Sequence, residues 1–505
     1  MRRILMLLPA LGLVLACIAG SAQSVPPQAP EEDGMLPALT AIAGHGMMNE
    51  RPFQNLEELS DSIGGRVTGS AQASKAIDWA LAKMRAIGLE NVHAESWQLK
   101  RGWTRISADA ELLAPIQRHL TVDSMGWVGS TDGTVEADVV AVNLNRLDDE
   151  IKDNASQWKG KILVGVEKGT PNNDRFIRWA SFGRFLKTAS AAHALGVIGG
   201  QSGSPSLGMH LTHTGTLGFD VYRDIPVVSM TAEDQSQIVR FLDQHKTVRL
   251  KLNVQNRVTD GPVESANVIG EIRGSRYPEQ VVVVGGHLDS WDLAQGAIDD
   301  GVGVAAALGA AEAIIASGYK PTRTIRLVLF TGEEQGLLGS QAYTKTHKDE
   351  IANHVAAVIL DDGEGQVVRM DLGGHDDLIP AVEKFTESAK AFGKLGVADE
   401  SDFGADSGPF ILAGLPGISL SQDSPESRYT HHSVVDTFDH VKPDLLIRNT
   451  TLIALISYWI ASRPMRLATP WPPERTAAML IEKKLDPFLK EAGLWTFDGS
   501  SGKNR

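Results

Sequence analysis

The 505-residue sequence has one cysteine, Cys17, and none beyond it. One cysteine can form no disulfide within the chain, and a mature protein that has lost Cys17 runs no thiol chemistry. Cationic side chains are also scarce, with 48 Lys and Arg against 62 Asp and Glu. The resulting net charge of −14 argues against a nucleic-acid or anionic-membrane partner. Long apolar runs are scarcer still. The one in MRRILMLLPALGLVLACIAGSAQS runs from Ile4 to about Ile18, is short for a membrane span, follows Arg2 and Arg3, and precedes small residues. It reads as a secretory signal cleaved after Ala22, so no transmembrane span is expected in the mature protein. Cys17 lies inside this leader. As a lipidation site Val14-Leu15-Ala16-Cys17 is imperfect, because Leu15 is bulky beside the cleavage point. The expected location is therefore periplasmic or secreted rather than anchored, and export without disulfides fits a bacterial envelope.

With 42% hydrophobic and 22% charged residues the chain is of the globular class, and its length calls for more than one domain. Residues 23–35 are Pro-rich and acidic and read as a flexible leader. Residues 36–109 begin with helical patterns, notably AQASKAIDWALAKMRAI ended by Gly88, followed by a strand. Residues 110–258 change to short Gly-punctuated strands such as GTVEADVVAV, GKILVG and DIPVVSM, a separate β-rich unit. Residues 259–463 alternate strands and helices, which predicts a doubly wound α/β sheet. The amphipathic piece ERTAAMLIEKKLDPFLKEAG within 464–505 predicts a docked or dimer-contacting helix. No internal repeat is evident.

The chemistry concentrates between Val281 and Ser340. Two β-branched runs, 281–284 and 325–330, each stop at glycines and ionisable residues, as buried strands do when they deliver polar groups at their C-terminal ends. Open α/β sheets place ligands there. The delivered groups are His287, Asp289, Asp299, Glu333 and Glu334, an imidazole and carboxylate set suited to a divalent metal and to water activated on it. An adjacent Glu-Glu pair on a surface would be merely solvated. Behind IRLVLFTG the two carboxylates point in different directions, so one can hold metal while the other faces water.

GGHLDSWD, then GAIDDGVG, then TGEEQGLLGS closely resembles the co-catalytic zinc exopeptidases of the M28 class, and the likeness covers most of residues 36–463. That resemblance implies two Zn2+ per chain and hydrolysis of dipeptides or short peptides. It assigns His287, Asp299, Glu334 and His432 as metal ligands, with Asp299 bridging, and Glu333 as the general base on a metal-bridging water. Asp289 becomes the carboxylate that fixes the His287 ring, and Asp300 a helix cap or outer support. The third carboxylate comes from Asp361-Asp362-Gly363, where relatives show one Asp; alignment from the preceding strand favours Asp362, with Asp361 the alternative. In YTHHSVVDTFDHV, His432 directly precedes the Ser-x-x-Asp-Thr run, leaving His431 a neighbour and Asp436 an orienting group. The β-rich unit looks like an inserted protease-associated domain covering one side of the site, and a homodimer is expected from the same likeness.

Other residues have blander readings. Arg66, in GGRVTGS, is expected in a structural ion pair rather than on substrate. His210 and His213 lack helical metal spacing and sit in a Gly- and Ser-rich stretch, which favours a solvated or substrate-edge loop. Trp158, Trp179 and Phe182 read as packing. Asp406 could shape a specificity pocket or serve a turn, and Tyr429 could stabilise a tetrahedral oxyanion or simply pack. Two other functions fit the same fold: a metal-free receptor-like binding module, and a single-zinc acyltransferase of glutaminyl-cyclase type. The full ligand set disfavours both.

Overall fold

A computed structural model describes residues 32–169, 175–199, 209–218, 221–361 and 363–497. The leader with Cys17, the Trp179 side chain and Asp362 lie outside the described residues. The strands in chain order are β1 (Glu90–Leu99), β2 (Gly102–Ala114), β3 (Arg118–Leu120), β4 (Val122–Ser124), β5 (Val135–Asn143), β6 (Ile162–Val166), β7 (Gly196–Ile198) and β8 (Val227–Met230). They continue as β9 (Arg249–Thr259), β10 (Val263–Ile272), β11 (Tyr277–His287), β12 (Arg323–Phe330), β13 (His354–Ile359), β14 (Gln366–Asp371), β15 (Gly396–Ala398) and β16 (Gly417–Asp423).

They form two eight-stranded sheets, ordered β1-β10-β12-β11-β13-β16-β14-β15 and β3-β2-β9-β5-β6-β7-β8-β4. In the first, β12, β11, β13 and β16 run parallel, flanked by antiparallel β10 on one side and β14 on the other. Val281 to Val284 are all buried because helices cover both faces of this strand, which is why its sequence is a continuous apolar run. The expected doubly wound mixed sheet is therefore present. Its central helix, Val302–Ala316, is rich in alanine and buried on nearly every side. A Cβ at Gly309 would lie 2.5 Å from Pro52 Cγ and 2.8 Å from Thr450 Cγ2, so glycine lets three helices meet there. The third of these, Pro443–Ser462, is the one described helix long and apolar enough to span a membrane. Here it packs into the main core.

The second sheet starts at Gly102, earlier than the 110 boundary read from sequence, because β2 extends back to the turn after β1 and pairs along its length with β9. Trp158 is fully buried edge-on against Phe185, which Phe182 also meets, so both read as packing correctly. At the C-terminus the single amphipathic stretch divides at Lys483–Leu485 into two helices, Pro473–Glu482 and Asp486–Glu491. Leu480, Phe488, Leu489 and Leu494 dock on Phe403 and Ile411 of the same chain.

Candidate active site

The ends of three neighbouring parallel strands supply one wall of the site. β11 terminates in His287, β12 leads through a Gly332 turn (φ +79°) to Glu333 and Glu334, and β13 leads to Asp361. Asp299 comes from the loop between β11 and the helix Val302–Ala316. His432 follows the short helix Ser427–Thr430.

Asp299 lies between the two imidazoles. Its Oδ1 is 3.0 Å from His287 Nε2 and its Oδ2 is 3.2 Å from His432 Nε2. Each imidazole has a further carboxylate of its own. Asp361 Oδ1 is 3.2 Å from His287 Nε2, and Glu334 Oε2 is 3.0 Å from His432 Nε2. Asp361, the alternative left open by sequence, is thus the described aspartate in the cluster. His431 comes closer than a bystander would: it stacks on His432 at 3.9 Å, and its Nδ1 is 3.4 Å from Asp299 Oδ2. His432 also reaches Glu334, through its Nε2 at 3.0 Å, which marks its position as that of a ligand.

Supporting contacts fix these groups. The His287 ring is held through Nδ1 by the backbone carbonyl of Asp289 at 3.0 Å, not by its carboxylate, whose Oδ1 is 3.8 Å away. The Asp289 carboxylate instead accepts from the Thr68 hydroxyl at 2.8 Å and from the Glu333 N–H at 3.3 Å, so it ties the base-bearing turn to the His287 loop. Asp300 accepts from His287 N at 3.0 Å and from Gly303 N at 2.8 Å, capping the central helix as expected. Asp436 accepts from Ile298 N at 2.6 Å, next to Asp299. Arg66 departs from the expected ion pair. Its fully buried guanidinium donates to the carbonyls of Leu288, Gln295, Gly296 and Gly64 at 2.7–3.1 Å, clasping both ligand-bearing loops.

Two residues expected near substrate lie as follows. Asp406 is buried, and burial pushes its carboxyl up to about 7, against the pull of His287 and the Ser340 hydroxyl. The Tyr429 hydroxyl is bonded by Arg428 on the helix before His431. Sequence reasoning missed His213. His210 is exposed, but His213 is buried, its Nδ1 2.9 Å from the His431 carbonyl. The Gly- and Ser-rich flank hid that burial.

The electrostatics call for a cation. Burial pushes Glu333 and Glu334 upward, and the neighbouring negative charges add to it; Glu333 ends well above the ordinary carboxylate range. Burial alone would lower His432, yet Glu334 and Asp299 outweigh it and hold the imidazole at about 9. His287 is likewise raised well above its ordinary value by Asp361 and Asp299 despite burial. Among the described residues Glu334 Oε1 is buried with no hydrogen-bond partner, an arrangement a cation would relieve. His287, Asp299 and Asp361 offer ligand atoms within 4.8 Å of one another, as do Asp299, His431 and His432. The nitrogen and oxygen donors fit zinc.

The sequence pattern of peptidase family M28 matches residues 267–457. Carboxypeptidase Q of Mus musculus is 30% identical, over 84% of this chain and 88% of that protein. The solved peptidase M28 precursor of Shewanella amazonensis is 29% identical with a TM-score of 0.77, covering 86% of this chain and 99% of that one. A zinc aminopeptidase of Bacillus subtilis shares the fold at 20% identity, with a TM-score of 0.62 over 83% of this chain and 97% of its own. The chain belongs to peptidase family M28 and is a metallopeptidase.

Proposed function

We propose that this protein is an exported two-zinc exopeptidase that hydrolyses the peptide bond of dipeptides or short peptides. The observation that carries the reading is Asp299, one oxygen toward each imidazole, with Asp361 completing one half and Glu334 the other. His287, Asp361 and Asp299 would hold one zinc, and His432, Glu334 and Asp299 the second. Bound zinc supplies Lewis-acid polarisation of the scissile carbonyl and lowers the pKa of water. The paired set argues against the metal-free receptor-like and single-zinc readings.

The chain's own groups would then do the proton work. Glu333 has its backbone anchored on Asp289 beside the ligand-bearing loops, which suits its carboxylate to take a proton from the attacking water and return it to the leaving amine. Thr68 and Asp289 keep that turn against the His287 loop. Export rests on the Met1–Ala22 leader, and homodimerisation on family likeness.

The test removes metal with a chelator and restores zinc stepwise while dipeptide hydrolysis is followed. Activity should be lost and return fully at about two zinc per chain. Full activity at one equivalent, or without metal, contradicts the proposal. N-acylated and C-amidated versions of the same dipeptide then show which peptide end is read.

A further inference from the structure

The second sheet reaches the candidate ligand cluster through the loop Leu211 to Gly215. Thr212, His213 and Thr214 are buried, and they lie beside the His432 loop as a short antiparallel pair centred on His213 and Ser433. The Thr214 N–H donates to the His432 carbonyl at 2.7 Å, and the Val434 N–H approaches the Thr212 carbonyl at 3.4 Å. His213 Nδ1, as donor, bonds the His431 carbonyl at 2.9 Å. The peptide carbonyls on both sides of the His432 Cα, those of His431 and His432, are thus gripped from the second sheet.

The grip is itself anchored. His213 N donates to Ser229 Oγ of β8 at 3.1 Å, and Thr212 Oγ1 donates to Asp123 of β4 at 2.5 Å. Arg105 of β2 donates to Thr214 Oγ1 at 3.0 Å and to Asp292 Oδ1 at 2.9 Å, so it joins this loop to the segment following His287. Gly215 has φ +144°, and a Cβ there would come within 3.2 Å of His432 Nδ1. His432 itself sits at φ +57°, a conformation a non-glycine residue keeps only when its surroundings impose it.

We infer that His213 and Thr214 are positioning residues for His432, so that metal affinity in the His432 half of the site is set from the second sheet. The backbone conformation of His432 aims its Nε2 at Asp299 and Glu334, and the clamp on the adjoining carbonyls holds that conformation. Loss of the clamp should weaken one metal position and spare the half built on His287 and Asp361. This inference rests on the two-zinc reading above.

Zinc binding to the metal-free, full-length mature protein tests it, with stepwise affinities measured by competition with a chelator. The variants are His213→Ala, which removes the donor, and His213→Asn, whose amide N–H can replace it. Val164→Ala, a core truncation in β6, controls for general loss of stability. His213→Ala should weaken one of two zinc equivalents about 10–100-fold, the range typical for loss of an outer partner of a metal ligand. His213→Asn should restore most of that affinity, and Val164→Ala should leave both equivalents unchanged. Equal affinities in wild type and His213→Ala overturn the inference, as does the same loss in Val164→Ala. A wild-type protein that binds fewer than two zinc ions overturns the two-zinc reading itself, and this inference with it.

Discussion

Two imidazoles surrounded by buried carboxylates hold their protons more tightly than free histidine, and zinc must displace those protons. With His432 at about 9 in the metal-free protein, zinc binding near neutral pH should release protons, and affinity should climb from pH 7 toward 9 before levelling. Titration calorimetry in buffers of different ionisation enthalpy reads this directly; a pH-independent affinity would contradict it. The linkage in the metal-free protein has the opposite sense. Because the folded pKa lies above the unfolded value of about 6.5, the charged His432 adds its full stability below about 6.5 and loses it as pH rises through about 9. Asp361 offers a second test at this scale. Asp361→Asn should weaken zinc by more than the roughly 10–100-fold of an outer partner, while Asp362→Asn should bind normally; the reverse order would make Asp362 the ligand. Sequence reading preferred Asp362 because an apolar run does not mark where its strand stops. β13 ends at Ile359, and Asp361 then falls beside His287. The His431-His432 doublet was harder still, since both rings face the same Asp299 oxygen and it is His432 that also meets Glu334.

Strand ends and the loops after them form the next level. The runs 281–284 and 325–330 were legible as buried strands, and they place His287, Glu333 and Glu334 where a parallel sheet opens to its ligand. Arg66 was legible only as an important cation. Its partners are four backbone carbonyls, which carry no sequence signature and meet only in the folded chain. Replacing it should leave several buried acceptors without a donor, each costing about 1–3 kcal/mol. Arg66→Met is therefore expected to destabilise by about 3 kcal/mol or more. Urea unfolding measures this, and a change below about 1 kcal/mol would mean that the loops hold themselves.

At the scale of the molecule, two sheets share one site. Strand and helix alternation announced the first sheet, and the change to short Gly-punctuated strands announced the second. How they dock was not legible, because docking depends on residues such as Gly126, where an added Cβ would strike the Trp291 ring. Trp291 in turn packs with Trp127 and edges His432 at 6.1 Å. Gly126→Ala should loosen that contact, seen as faster amide exchange at 212–215 and 431–434; unchanged exchange would show the docking to be tolerant there. The central claim is that this assembled site binds two zinc ions and uses Glu333 to move the proton. The most direct test is Glu333→Gln, with zinc content and dipeptide hydrolysis measured on the same sample. The account predicts about two zinc ions retained and hydrolysis reduced by roughly 10²–10⁴-fold. Full hydrolysis by that variant with its zinc in place would contradict it.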